Sequence, residues 1–217
     1  MLRSHNLEHL IWQRMANSAG ISPKKLYLKH LASRLKKHET KVINEVDGVA
    51  AITTKDLENF KELKCTKPLK TIPFSTELDQ FKLTLRSDIS RIRLFHIGTM
   101  NWTPNIEAVN YLMNDIWPRI STLNVELHLA GRGMQSNFIE MSNANLHIQG
   151  EVPSVVDFMA ENDVLIVPLL SGSGIRVKII EGMAMGKTIL TTSIGAEGIP
   201  YTNWENIIIA DTPEEFE

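Results

Sequence analysis

Six residues between Gly172 and Glu181 have the types and spacing to hold an anion: Gly172, Ser173, Gly174, Arg176, Lys178 and Glu181. Glycines at Gly172 and Gly174 allow a tight turn, so that the backbone N–H groups of Gly174 and Ile175 point out of a helix N-terminus. Arg176 and Lys178 add formal charge at that end, enough for two phosphates, and a bidentate guanidinium suits them. Glu181 follows Lys178 by three residues, so both lie on one side of a helix. A carboxylate there can accept two hydrogen bonds from a ribose diol. The same spacing equally fits a surface Lys178–Glu181 pair worth roughly a few tenths of a kcal/mol.

These residues need a strand before them and a strand after. Val164 to Val167 is a continuous apolar run, as in a strand covered on both faces, and an apolar strand returns at Ile189. A strand, a glycine-rich break, a helix from about Arg176 and a second strand make a βαβ unit. The rhythm before it is regular. Ile92 to Ile97 is a strand. Thr103 caps a helix with Pro104 at its first position and Glu107 in its first turn. Val125, Leu127 and Leu129 alternate with Glu126 and His128 as a strand, and Leu146 and Ile148 mark another. Short helices cover Met134–Met141 and the stretch from Pro153, and a last strand at Ile207–Ile209 precedes a helix from Pro213. Six strands alternating with helices predict an α/β fold with a doubly wound parallel sheet. In such sheets ligands bind at the carboxyl ends of strands. Those ends carry Gly98-Thr99, Gly131-Arg132-Gly133, Gly150-Glu151 and Ser171 to Gly174. Any one glycine is compatible with an ordinary turn; four such turns on one edge point to a ligand.

The first part of the chain is poorer in strands. Met1–Arg3 reads as a strand end, after which His5 or Asn6 caps a helix. The helical stretch is split at Gly20-Ile21-Ser22-Pro23, with Ser22 as N-cap and Pro23 at the first helical position. A strand over Val46–Thr53, a helix over Thr54–Lys64 and a short strand over Lys70–Pro73 follow, then a linker. That is too little sheet to close a core, so the expected division is residues 1–84, the truncated remnant of a second α/β domain plus linker, and 85–217, the doubly wound domain, cut off at its C-terminus.

Composition excludes several classes. The chain has 217 residues, 43% hydrophobic and 22% charged, with a formal net charge of −2, which argues against a nucleic-acid partner. Residues 1–70 carry 14 Lys/Arg against 7 Asp/Glu, and the remainder 9 against 18. A basic first third fits either a solvated helix face or an anionic surface such as a membrane. A single cysteine, Cys65, excludes an internal disulfide. No apolar run is long enough to span a bilayer and the N-terminus has no signal core, so the expected location is the cytoplasm, peripheral to a membrane where the basic face meets one. A P-loop and a dinucleotide fingerprint are both absent. His5, His9, His30 and His38 do not share metal-ligand spacing with a Cys pair, and His96, His128 and His147 sit within strands as structural residues. No metal is expected.

The run GSGIRVKIIEGMAMGKTILTT followed by GAEGI resembles the donor-binding signature of retaining GT-B-fold glycosyltransferases of the large group-1 family. FHIGTMNWTPNIEAVNYL, VELHLAGRG and NLHIQGEVPSVVDFMAENDVLIVPL precede it in the family's order. LRSHNLEHLIWQR, LKKHE and DGVAAITTKD extend the resemblance weakly over residues 1–60, the closing part of an acceptor-binding domain. The resemblance implies a Rossmann-like donor domain, a nucleotide diphosphate sugar as co-substrate without metal or other cofactor, and a glycan or lipid-linked acceptor. Two glutamates separated by seven residues are usual near the donor. Glu181 matches the second, which contacts ribose; Ser173 stands where the first would be, beside Gly172, as a donor-sugar contact without a carboxylate's charge. The first loop, Gly98-Thr99-Met100-Asn101-Trp102, lacks the family's usual Arg and Lys, so Arg176 and Lys178 would hold the diphosphate, with Arg132 as a lesser contributor. The resemblance also places His5 toward the acceptor side, as a catalytic or sugar-contacting residue or as a helix cap. An epimerase on the same scaffold, or a non-catalytic nucleotide-binding chain, fits the same residues.

Overall fold

The computed structural model describes residues 1–81, 83 and 90–217. These divide into two compact units. One comprises Met1–Ser75 with Leu170–Ile175 and Ala196–Pro200; the other comprises Thr76–Leu169, Arg176–Gly195 and Tyr201–Glu217. The boundary expected at residue 84 lies outside the described residues.

In the first unit, β1 (Leu2–Arg3), β2 (Val49–Ala51) and β3 (Leu69–Thr71) form a parallel sheet in that order. Helices α1 (Glu8–Ser18), α2 (Pro23–Glu45) and α3 (Thr54–Glu62) pack around it. Ser22 accepts the Lys25 N–H at 3.4 Å with Pro23 just inside the helix, as the sequence predicts. Thr53 caps α3 by accepting the Asp56 N–H at 2.9 Å. Leu7, Ile43, Val49, Ala51, Phe60 and Leu63 form the core. Two expectations are corrected. The strand around Val49 is three residues long, because α2 runs to Glu45 and a bend at Val46-Asp47 intervenes. Neither His5 nor Asn6 caps α1: its N-cap position is Leu7, without a side-chain bond, and the Glu8 N–H is accepted instead by Glu39 of α2 at 2.7 Å.

In the second unit, β4 (Ile92–Ile97), β5 (Val125–Ala130), β6 (Leu146–Gly150), β7 (Val164–Val167), β8 (Thr188–Thr191) and β9 (Ile208–Ile209) form one parallel sheet. Their order is β6-β5-β4-β7-β8-β9, the doubly wound arrangement. The helices between strands are α4 (Thr103–Tyr111), α5 (Trp117–Ile120), α6 (Ser136–Ile139), α7 (Val155–Ala160) and α8 (Val177–Ala184). Val109, Leu112, Ile116, Leu127, Leu129 and Ile166 are buried in its core. Between α4 and α5 the chain widens into a π-helical turn over Leu112–Ile116, where the Trp117 N–H reaches back to the Leu112 carbonyl. Pro118 explains it: proline has no N–H for the carbonyl four residues back, and the widened turn accommodates its ring.

The helix ends depart from the sequence reading. Trp102, not Thr103, is the N-cap of α4, which moves Glu107 out of the first turn. Ser154 caps α7 by accepting the Asp157 N–H at 3.1 Å, so Pro153 stays outside the helix. α6 is confined to Ser136–Ile139. Pro213 to Phe216 form turns, not a helix; Glu215 Oε2 accepts the N–H groups of Asp211 and Thr212 at 2.6 and 3.1 Å and closes the chain on itself.

At the carboxyl edge, the Gly98 N–H donates to Ala130 at 3.1 Å and the Gly131 N–H to Gly150 at 2.6 Å. A Cβ on Gly131 would overlap the Gly98 carbonyl. Gly131→Ala should therefore lower the stability of the chain by about 3 kcal/mol, the upper range for overpacking, in urea unfolding followed by circular dichroism.

Candidate anion-binding site

The order of the larger sheet sets β4 between β5 and β7, so the loop after β4 and the helix after β7 meet at one point of the edge. Gly98 is at the end of β4. Its missing side chain is what makes room there: a Cβ would lie 2.8 Å from Lys178 Nζ and 2.7 Å from Asn105 Nδ2. Lys178 Nζ donates to Asn105 Oδ1 at 3.2 Å, and Asn105 Nδ2 donates to the Thr99 carbonyl at 2.9 Å. A buried amide thus ties the first loop of this unit to the ammonium on α8. Gly98, Thr99 and Lys178, predicted separately, come together; Asn105, which joins them, was not predicted.

Helix α8 begins at Val177 with Arg176 as its N-cap. Its free N–H groups are accordingly those of Val177 and Lys178. Gly174 and Ile175, expected in that role, precede the helix and belong to the other unit. Arg176 is 4% exposed and its Nη2 donates to the Ile194 carbonyl at 3.1 Å, so the guanidinium acts on Lys178 through its charge. Burial first, and Arg176 second, lower the pKa of Lys178 to about 7. Glu181 stands one helical turn further along α8, half-buried, and burial raises its pKa. Among the described residues no ion pair joins it to Lys178, which overturns the surface-pair alternative: the lysine turns to Asn105 instead.

His96 lies within β4 and is wholly buried. Its Nδ1 faces the Ile166 carbonyl at 2.8 Å, and a carbonyl only accepts, so the proton is on Nδ1. Nε2 is a bare acceptor with no hydrogen-bond partner among the described residues. Burial and then the Lys178 charge lower its pKa to about 3. Arg132 is exposed on the loop after β5, where its carbonyl accepts the Met100 N–H at 2.8 Å.

The remaining predicted residues lie in the first unit. His5 is exposed. Ser173 is buried and its Oγ accepts the Leu7 N–H at 2.9 Å. The Gly172 carbonyl accepts from Arg14, whose guanidinium also makes two bonds to Glu197 at 2.6 and 2.7 Å. Gly174 has φ +78° and a Cβ there would run into the His5 carbonyl. The loop is therefore held by Arg14 and Leu7, two contacts the sequence did not signal. In the second unit Glu126, His128 and His147 have ligating atoms within 4.8 Å of one another. Arg93 and Arg91 stand 3.3 and 3.8 Å from that carboxylate, which disfavours a divalent cation.

Residues 91–217 match the family described as "Glycosyl transferases group 1". A 44.6 kDa protein in the cps region of Klebsiella pneumoniae is 22% identical over 97% of this chain and 56% of its own length. Sucrose-phosphate synthase from Thermosynechococcus elongatus superposes with a TM-score of 0.68 at 15% identity, over 99% of this chain and 55% of that one. HepE from Anabaena, solved with UDP and glucose, gives 0.67 at 14%, over 98% and 58%. S. aureus TarM, solved with UDP, gives 0.65 at 15%, over 84% and 38%. The two parallel sheets thus have the GT-B architecture, and the chain spans about half the length of the relatives it matches.

The buried imidazole has a consequence in acid. Between pH 6.5 and about 3 the unfolded chain holds a proton at His96 that the folded chain does not, so stability falls as pH falls through that window. The contribution is on the order of tenfold in the folding equilibrium per pH unit. His96→Phe should narrow the gap between urea midpoints at pH 7 and pH 4.5; an unchanged gap would refute the assignment.

Proposed function

The chain belongs to the group 1 glycosyl transferases, and on that premise we propose that it binds a nucleotide diphosphate sugar at the Gly98–Lys178 edge for transfer of the hexosyl group to an acceptor hydroxyl. One observation carries this reading: the Lys178 ammonium is held beside Gly98 by the neutral Asn105, at the first turn of α8. A cation and free helix-end N–H groups at one point are suited to a diphosphate. Gly98 and Thr99 bring backbone to the same ligand, and Arg132 supplies an exposed guanidinium from the next loop. Arg176 sets the local potential. Glu181 has no partner among the described residues and takes the ribose hydroxyls.

In the transfer, the bond between the anomeric carbon and the diphosphate oxygen breaks, a bond to the acceptor oxygen forms, and the acceptor hydroxyl loses its proton. Negative charge grows on the departing diphosphate. Groups fixed to meet that charge stabilise the transition state more than the ground state. Lys178 is fixed in this way by Asn105. The nucleotide in the HepE and TarM structures supports a uridine diphosphate donor. The relative in the cps region supports a glycan or lipid-linked acceptor in polysaccharide assembly.

Calorimetry with UDP and GDP tests the site. At least one should bind, about 100-fold more weakly to Lys178→Ala and about tenfold more weakly to Glu181→Ala. If neither nucleotide binds the chain, or both variants bind like the parent, the site is wrong.

Binding should also be linked to protons. Lys178 is largely neutral above pH 7, and a diphosphate favours the charged form, so binding at pH 8.5 takes up a proton. Affinity should fall by up to about tenfold per unit above pH 7. Titrations in buffers of different ionisation enthalpy measure the uptake, which Lys178→Ala should abolish.

A further inference from the structure

The turn between α1 and α2 carries a patch that the donor site does not use. Ile21 is 103% exposed, Leu26 71% and Tyr27 64%. Three large apolar side chains within seven residues point into solvent, where nothing in the described chain covers them. Ile21, Pro23 and Leu26 share an open groove with Lys25 and Lys29.

The charge around this patch has one sign. From His9 to His38 the sequence contains no Asp or Glu, and it contains seven Lys and Arg. Helix α2 explains how they are displayed. Leu28 and Ala32 are buried, and Leu31 and Leu35 lie on the same side. The opposite, exposed face carries Leu26, Lys29, His30, Arg34, Lys36 and Lys37. Apolar residues crowd the first turn and cations continue along the helix. Acids return only at Glu39, which turns inward to cap α1.

We propose that this tip docks on an anionic lipid bilayer, with Ile21, Leu26 and Tyr27 entering the headgroup boundary and the α2 cations meeting lipid phosphates. Both halves of the patch are needed for that choice. A nucleic acid would use the cations but give little return for three apolar side chains. A second copy of this chain would bury the apolar tip but set cations against cations. A bilayer surface with acidic headgroups satisfies both, as it does for interfacial amphipathic helices. The attachment is peripheral: no helix among the described residues is long and apolar enough to cross a membrane. The inference stands independently of the donor site, since it shares no residue with it.

Cosedimentation of the 217-residue chain with vesicles tests it. The chain should pellet with vesicles of equal parts phosphatidylglycerol and phosphatidylcholine and stay in solution with phosphatidylcholine alone. Binding should weaken with salt. A Lys24→Ala, Lys29→Ala, Lys37→Ala variant should bind about 100-fold more weakly. An Ile21→Ser, Leu26→Ser, Tyr27→Ser variant should lose about tenfold or more. All these side chains are exposed, so both variants should keep the parent melting temperature. A Leu26→Trp variant, which reads insertion without removing the patch, should show a blue shift with the anionic vesicles only. The proposal is overturned if the parent ignores anionic vesicles, if neither triple variant changes binding, or if light scattering shows a dimer that the apolar variant dissolves.

Discussion

A half-buried ammonium bonded to a neutral amide is the constraint on which the larger unit's proposed ligand edge depends. Lys178 leans on Asn105 Oδ1, and the Arg176 charge repels it. Taking a lysine out of water costs several kcal/mol unless a counter-charge is supplied or the proton is lost. Among the described residues no ion pair supplies a carboxylate to it, and the pKa falls to about 7. Folding alone gives no reason to set the Lys178 ammonium at the start of a helix against a neutral amide. Local rules are broken in this way where a ligand completes the arrangement. The proposed diphosphate would supply the counter-charge that Lys178 lacks among the described residues.

Topology makes that arrangement possible. Asn105 comes from the helix after β4, and Lys178 from the helix after β7. They are 73 residues apart and meet because β4 and β7 are neighbours while β5 lies on the other side of β4. This is the point where the winding of the sheet reverses, the place where open parallel sheets bind ligands. Gly98 follows the last residue of β4 at that point. Any larger residue there would push apart the amide and the ammonium that the topology brings together.

Strand positions are legible because apolar runs end at a helix-breaking residue, Gly98 after Ile92–Ile97 and Pro168 after Val164–Val167, and both strands match the sequence reading to the residue. Helix ends were less legible where a side chain from elsewhere decides them. Glu39 reaches across from α2 to the first turn of α1, and nothing local to His5 or Asn6 announces it. Glu215 folds the last residues into turns in place of the helix that Pro213 suggests. Of the candidate site, the charged residues were visible because Arg, Lys and Glu within six residues at a helix start are conspicuous. Asn105 was not, since an Asn after a Pro at a helix start reads as ordinary helix initiation. Its importance is a tertiary fact.

The glycines show why residue type alone stops short of a site. Gly98 and Gly174 were read alike, as turns at the carboxyl edge of a parallel sheet. What a Cβ would meet separates them. At Gly174 it meets the His5 main chain, so that glycine permits the chain to pack on itself. At Gly98 it meets a lysine ammonium and an amide, both polar groups with bonding capacity to spare. Close approach by backbone is a packing requirement; close approach by a cation in need of a counter-charge is a binding requirement. The proposed ligand edge of this chain is therefore centred on Gly98 and the first turn of α8, while the Gly172–Gly174 loop, richer in glycine, is held by Arg14 and Leu7 as part of the first unit's own packing.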